Sequence, residues 1–204
     1  KYLKMYEVKP NFFIFGAIFL MSVVLLFLLD RLVFYFLKSS YTFKFFSLIY
    51  TVIFILSVLS VGISYLRILP DYAALYLLVP ISLASTLIAL LLHAQLAFIV
   101  GTILAVFVSI LFQLSFYVFF FLFVSSTVAI LVVYRSDKRS NIIFSGYIVA
   151  VVNAILVIIF GLFQEVDYVL WYGINMALAM TNGVFSSMIC LAVLPYFETI
   201  FKLT

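Results

Sequence analysis

Residues 96–134 read LAFIVGTILAVFVSILFQLSFYVFFFLFVSSTVAILVVY and contain no charged side chain. A bilayer's hydrocarbon core is about 30 Å thick and takes about 20 apolar residues as a helix. This stretch is therefore too long for one crossing and too apolar for water. It divides most sensibly at Gln113-Leu114-Ser115, giving spans at 96–112 and 116–134. Working outward, polar breaks separate further apolar stretches at 12–37, 45–66, 72–92, 142–163 and from 169 to beyond Leu194. The first contains Asp30-Arg31, and the third is entered through Arg67-Ile68-Leu69-Pro70-Asp71. The runs are long and continuous, whereas a barrel alternates polar and apolar residues in segments of about ten. Backbone groups in lipid must be satisfied within the segment. The expected fold is an all-α integral membrane protein, a seven-helix transmembrane bundle.

Composition agrees. The 204 residues are 69% hydrophobic and 9% charged, against about 45–50% and about 25% in soluble domains. This excludes a soluble enzyme, a nucleic-acid-binding module and a disordered tail. The net charge of +4 is scattered in short breaks between apolar stretches, so no nucleic-acid partner is expected; the partner is the lipid bilayer. The single cysteine, Cys190, lies in an apolar run and offers no disulfide framework.

Basic residues in short loops orient membrane proteins. With the N-terminus outside and the C-terminus inside, Arg31, Lys38, Lys44, Arg135, Lys138, Arg139 and Lys202 face the cytoplasm. The fifth loop, RSDKRSN, is basic, whereas the sixth, Gln164-Glu165-Val166-Asp167, carries only acids. The chain opens on the polar KYLKMYEVKP rather than Met and stops at Thr204, and reads as a piece of a longer protein. The expected division is a juxtamembrane tail at 1–11, a transmembrane domain at 12–195 and the start of an exit helix at 196–204.

Catalytic motifs are absent. His93 is the sole histidine, so no two-histidine metal site can form, and Ser145-Gly146 has no histidine partner in a neighbouring span. Polar residues at membrane depth are costly and merit a functional reading. Asn153 lies in the middle of span six, while Asn175 and Asn182 are seven residues apart on span seven, on one helix face with Ser186 close by. These four form a candidate polar pocket, switch or hydrogen-bonded seam between spans six and seven, where Gly146, Gly161 and Gly183 permit close packing. Asp30 and Arg31 read as boundary residues that reach the headgroups.

Beyond Pro195 the chain is amphipathic. Leu194, Phe197 and Phe201 share a stripe, and Glu198 and Lys202 form an i,i+4 pair in the favoured order. Pro195, Glu198 and Phe201 are candidate relay residues toward a cytoplasmic domain, and Arg135, Asp137 and Arg139 mark the cytoplasmic loop. The runs YRSDKRSNIIFSGYIVAVVNAI (134–155) and NGVFSSMICLAVLPYFETIFKLT (182–204) resemble the last third of the seven-transmembrane receptors with an intracellular HD hydrolase domain. The likeness rests on Arg135-Ser136-Asp137-Lys138-Arg139, Asn153, Asn182-Gly183, Ser186, Leu194-Pro195, Glu198 and Phe201. It implies an extracellular sensory domain before Lys1 and a cytoplasmic HD phosphohydrolase after Thr204, hydrolysing cyclic di-AMP with divalent metal ions held in that domain. No catalytic, cofactor or metal residue of this chain is implied. The expected role is membrane anchoring and signal relay in a bacterial inner membrane, with a homodimer as a candidate partner. The alternative is a small-molecule transporter or substrate-binding membrane component.

Overall fold

A computed structural model describes residues 12–36, 43–64, 74–134 and 140–201. The expected tail at 1–11 and the loop residues Arg135, Asp137 and Arg139 lie outside the described residues. Those described contain helices and no strand: α1 (Phe12–Phe36), α2 (Phe43–Ser64), a short 3₁₀ turn η1 (Leu75–Leu78), α3 (Ile81–Leu91), α4 (Ala94–Leu111), α5 (Phe116–Tyr134), α6 (Ser140–Phe163) and α7 (Val169–Phe201). Among the described residues, five helices are long and apolar enough to cross a membrane: α2, α4, α5, α6 and α7.

The uncharged run divides where the sequence placed the break. Gln113 and Leu114 adopt φ of 63° and 56°, a left-handed conformation that side chains disfavour and that stops α4. The Gln113 and Leu114 N–H groups close the turn onto the Ile110 and Ser109 carbonyls.

The third stretch departs from expectation. It is not one helix over 72–92 but η1, a break at Val79-Pro80, and the eleven-residue α3. Proline has no N–H, and its ring clashes with the preceding helical turn, so a continuous helix through residue 80 would lose a rung of its ladder. Residues Ile81–Ile88 are nonetheless all buried, because α3 packs against α4, α5 and α7 and touches α2. The shortest helix is thus the most enclosed.

The most extensive helix pair is α6 with α7. Its closeness is built from small side chains. A Cβ added at Gly183 would lie 2.6 Å from the Ala150 nitrogen and 2.8 Å from its Cα. One added at Gly146 would run into the Ser187 side chain and come within 3.1 Å of the Gly183 carbonyl oxygen. Without Cβ atoms at these two points the backbones can approach, which is how helices associate when lipid offers no hydrophobic driving force.

Candidate functional site

The polar face of α7 meets the broken third element. Asn182 Nδ2 donates to the Leu77 carbonyl at 2.7 Å and to the Val79 carbonyl at 3.0 Å. Its Oδ1 accepts from Ser186 Oγ at 3.0 Å. Two turns earlier, Asn175 Oδ1 accepts from the Ala74 N–H at 2.8 Å, and its Nδ2 donates to the Trp171 carbonyl at 2.9 Å. The two asparagines therefore cap opposite ends of η1, one taking an N-terminal N–H and the other feeding C-terminal carbonyls. Their seven-residue separation, about 10 Å along a helix, matches the length of the turn between them.

The chemistry explains the residue type. The Leu77 carbonyl would ordinarily accept from residue 80 or 81. Pro80 has no N–H, and the Ile81 N–H is committed to the Val79 carbonyl at 2.9 Å. A buried carbonyl without a donor is costly in a bilayer interior, so α7 supplies one. An amide carries both a donor and an acceptor, which lets one side chain bind η1 and hold Ser186. Asn175 and Asn182 are fully or nearly fully buried, and Ser186 is buried with them.

Of the four candidate pocket residues, the structure thus joins Asn182 to Ser186 and sets Asn175 at the far end of η1. All three face the third element or their own helix. Asn153 is the one that belongs to the α6–α7 contact. It is completely buried, its Nδ2 lies 3.4 Å from the Ala179 carbonyl, and its Oδ1 has no hydrogen-bond partner among the described residues. Ser145 is buried and donates to the Ile142 carbonyl of its own helix at 2.9 Å.

A second polar layer lies between α3, α4 and α5. Ser85 Oγ and Ser126 Oγ are 2.6 Å apart, and a Cβ at Gly101 would meet both side chains. The Ser82 and Ser125 hydroxyls are buried without partners among the described residues. Sequence reasoning missed this layer and the break. The available signals were Pro80 within an apolar run and the clustering of Ser82, Ser85 and Thr86.

At the other end, α7 continues as helix through Pro195 to Phe201. Pro195 is exposed, Leu194 is buried, and the Thr199 hydroxyl donates to the Pro195 carbonyl at 2.8 Å. Glu198 is half-buried on the same helix. At 33 residues α7 is about 50 Å long, well beyond the hydrocarbon thickness of about 30 Å. Among the described residues no group of His, Cys, Asp and Glu side chains is placed to hold a metal ion.

Long apolar helices packed around a polar-capped broken segment define a multi-pass membrane protein. The chain belongs to the family described as 7TM receptor with intracellular HD hydrolase, whose model matches residues 9–204. No curated protein and no solved structure matches it.

Proposed function

We propose that this chain is the membrane-anchoring and signal-relay region of a bacterial inner-membrane HD-domain phosphodiesterase that cleaves cyclic di-AMP. In this reading it crosses the bilayer seven times, N-terminus outside and C-terminus inside, with η1 and α3 together making the third crossing. An extracellular sensory domain precedes it and the hydrolase follows α7. In this reading the divalent metals of the hydrolytic step belong to the HD domain, and no step of the hydrolysis runs through this chain.

The observation that carries the reading is α7 itself. One continuous helix is held by Asn182 to irregular backbone in the bundle core and, at 33 residues, is longer than the hydrocarbon core is thick. In this reading a displacement of η1 or α3 passes along α7, through Pro195, to whatever is joined after Phe201.

The test is cyclic di-AMP hydrolysis by the full-length protein in membranes. Asn182→Leu, Pro195→Ala and a rigid helical insertion after Phe201 are each expected to change the rate. Rates equal to wild type for all three overturn the relay. A second reading, a small-molecule transporter or substrate-binding membrane component, draws on one observation: transporters use discontinuous helices at their binding sites, and the third element is discontinuous. Solute uptake by the isolated chain in proteoliposomes would favour it, and family membership weighs the other way.

A further inference from the structure

Helices α1 and α2 both pack along α4, and a cavity of about 430 Å³ opens between the three. Its walls are apolar, among them Leu25, Leu26 and Leu29 of α1, Ile53 and Phe54 of α2 and Leu104 of α4. The volume falls within the range of about 300–1,000 Å³ found for small-molecule sites. One end is different. Tyr50 lines the cavity, and its hydroxyl donates to Asp30 Oδ1 at 3.0 Å. The next residue, Arg31, holds its guanidinium 5.2 Å from the centre of the Phe27 ring.

Asp30 and Arg31 are both exposed on the outside of the bundle. Asp30 stands six residues before the end of α1, about 9 Å along the axis. A carboxylate on the lipid-facing side of a membrane helix is costly unless it is paired. Among the described residues, the Tyr50 hydroxyl is its hydrogen-bond partner and no cation pairs with it. The requirements on an occupant are then specific: an apolar chain for the cleft, a hydrogen-bonding cation for Asp30, and an anion close beside it for Arg31.

We propose that this cleft is a selective site for an aminophospholipid, with one acyl chain between α1, α2 and α4, the primary ammonium on Asp30 and the phosphate beside Arg31. The neighbouring opposite charges match a headgroup that carries both signs a few atoms apart. An anionic lipid such as phosphatidylglycerol has hydroxyl donors but no cation, and would bring a second negative charge to the Asp30 carboxylate. A quaternary ammonium has charge but no N–H to donate. This inference is independent of what the chain relays and of which compartment the end of α1 faces.

The test uses the full chain with Trp171→Phe and Phe54→Trp, so that the only indole lines the cleft. The protein is reconstituted in phosphatidylcholine vesicles, into which brominated phosphatidylethanolamine, phosphatidylglycerol or phosphatidylcholine is titrated while quenching is read. Phosphatidylethanolamine is expected to quench at about fivefold lower mole fraction than the other two, the scale of a partly exposed charged hydrogen bond. Asp30→Asn should remove the preference, and Arg31→Gln should reduce it. Native mass spectrometry of the unaltered chain should show the same headgroup retained. Equal quenching by all three lipids, ordinary annular contact, overturns the proposal, as does a preference that survives Asp30→Asn.

Discussion

Replacing Asn182 with Leu isolates what the polar lock contributes. Leu matches the amide in size but neither donates nor accepts. The Leu77 carbonyl then loses its donor outright, because Pro80 has none and the Ile81 N–H is bound to Val79. The Val79 carbonyl keeps Ile81 and loses only its second bond, while Ser186 loses its acceptor. An orphaned buried acceptor costs about 1–3 kcal/mol, and polar contacts between membrane helices average about 0.6 kcal/mol. One orphan and two lesser losses give about 2–4 kcal/mol in total. Cys190 is fully buried and free, so its reaction with a thiol reagent in mixed micelles reports opening of the bundle. With each 1.4 kcal/mol worth about tenfold, Asn182→Leu should raise the labelled open population about 30- to 700-fold. Pro80→Ala supplies the missing N–H at residue 80. It should rescue the Asn182→Leu protein by about 1 kcal/mol more than it changes the wild type. Wild-type labelling in Asn182→Leu, or strict additivity of the two substitutions, refutes the reasoning.

Gly183→Ala drives a methyl into the Ala150 backbone, which cannot rotate aside; the same labelling assay should show a loss of about 1–3 kcal/mol. Gly146→Ala meets the Ser187 side chain first and the Gly183 carbonyl oxygen at 3.1 Å, so Ser187→Gly should restore part of the stability in a double-mutant cycle, and no coupling would contradict the packing. Ser126→Ala should cost no more than about 1 kcal/mol, since Ser85 Oγ retains the Ile81 carbonyl at 3.1 Å. Pro195→Ala restores an N–H to the interior of α7, where proline costs about 3 kcal/mol; slower amide exchange at residues 195–201 checks it.

The helical class was legible because long uncharged runs leave no other way to satisfy a backbone in lipid. The turn at Gln113-Leu114 was legible for a local reason, a polar residue in an otherwise apolar run, and the positive φ values there confirm a true break. The face shared by Asn175 and Asn182 followed from helical spacing alone. What those asparagines touch did not. Their partners, Ala74, Leu77 and Val79, lie about a hundred residues earlier, and no periodicity connects side chain to carbonyl across that distance. Pro80 was visible, but its consequence was hidden: a break at membrane depth is tolerable only if another helix supplies the lost bonds, and that donor is on α7. The close contact of α6 and α7 was foreshadowed by Gly146 and Gly183. Asn153 alone of the expected seam sits in that contact. The Ser85–Ser126 layer carried too little local signal, since serines within helices can bond their own backbone.

Everything in the relay depends on α7 emerging on the opposite side from the chain's beginning, with the η1–α3 element counted as a full crossing. The direct measurement replaces Cys190 with Ser and places single cysteines at Lys1 and at Thr204, then labels each with a membrane-impermeant maleimide in sealed, right-side-out vesicles. The account predicts labelling at position 1 without lysis and at position 204 only after lysis. Labelling of both positions from the same side would contradict it.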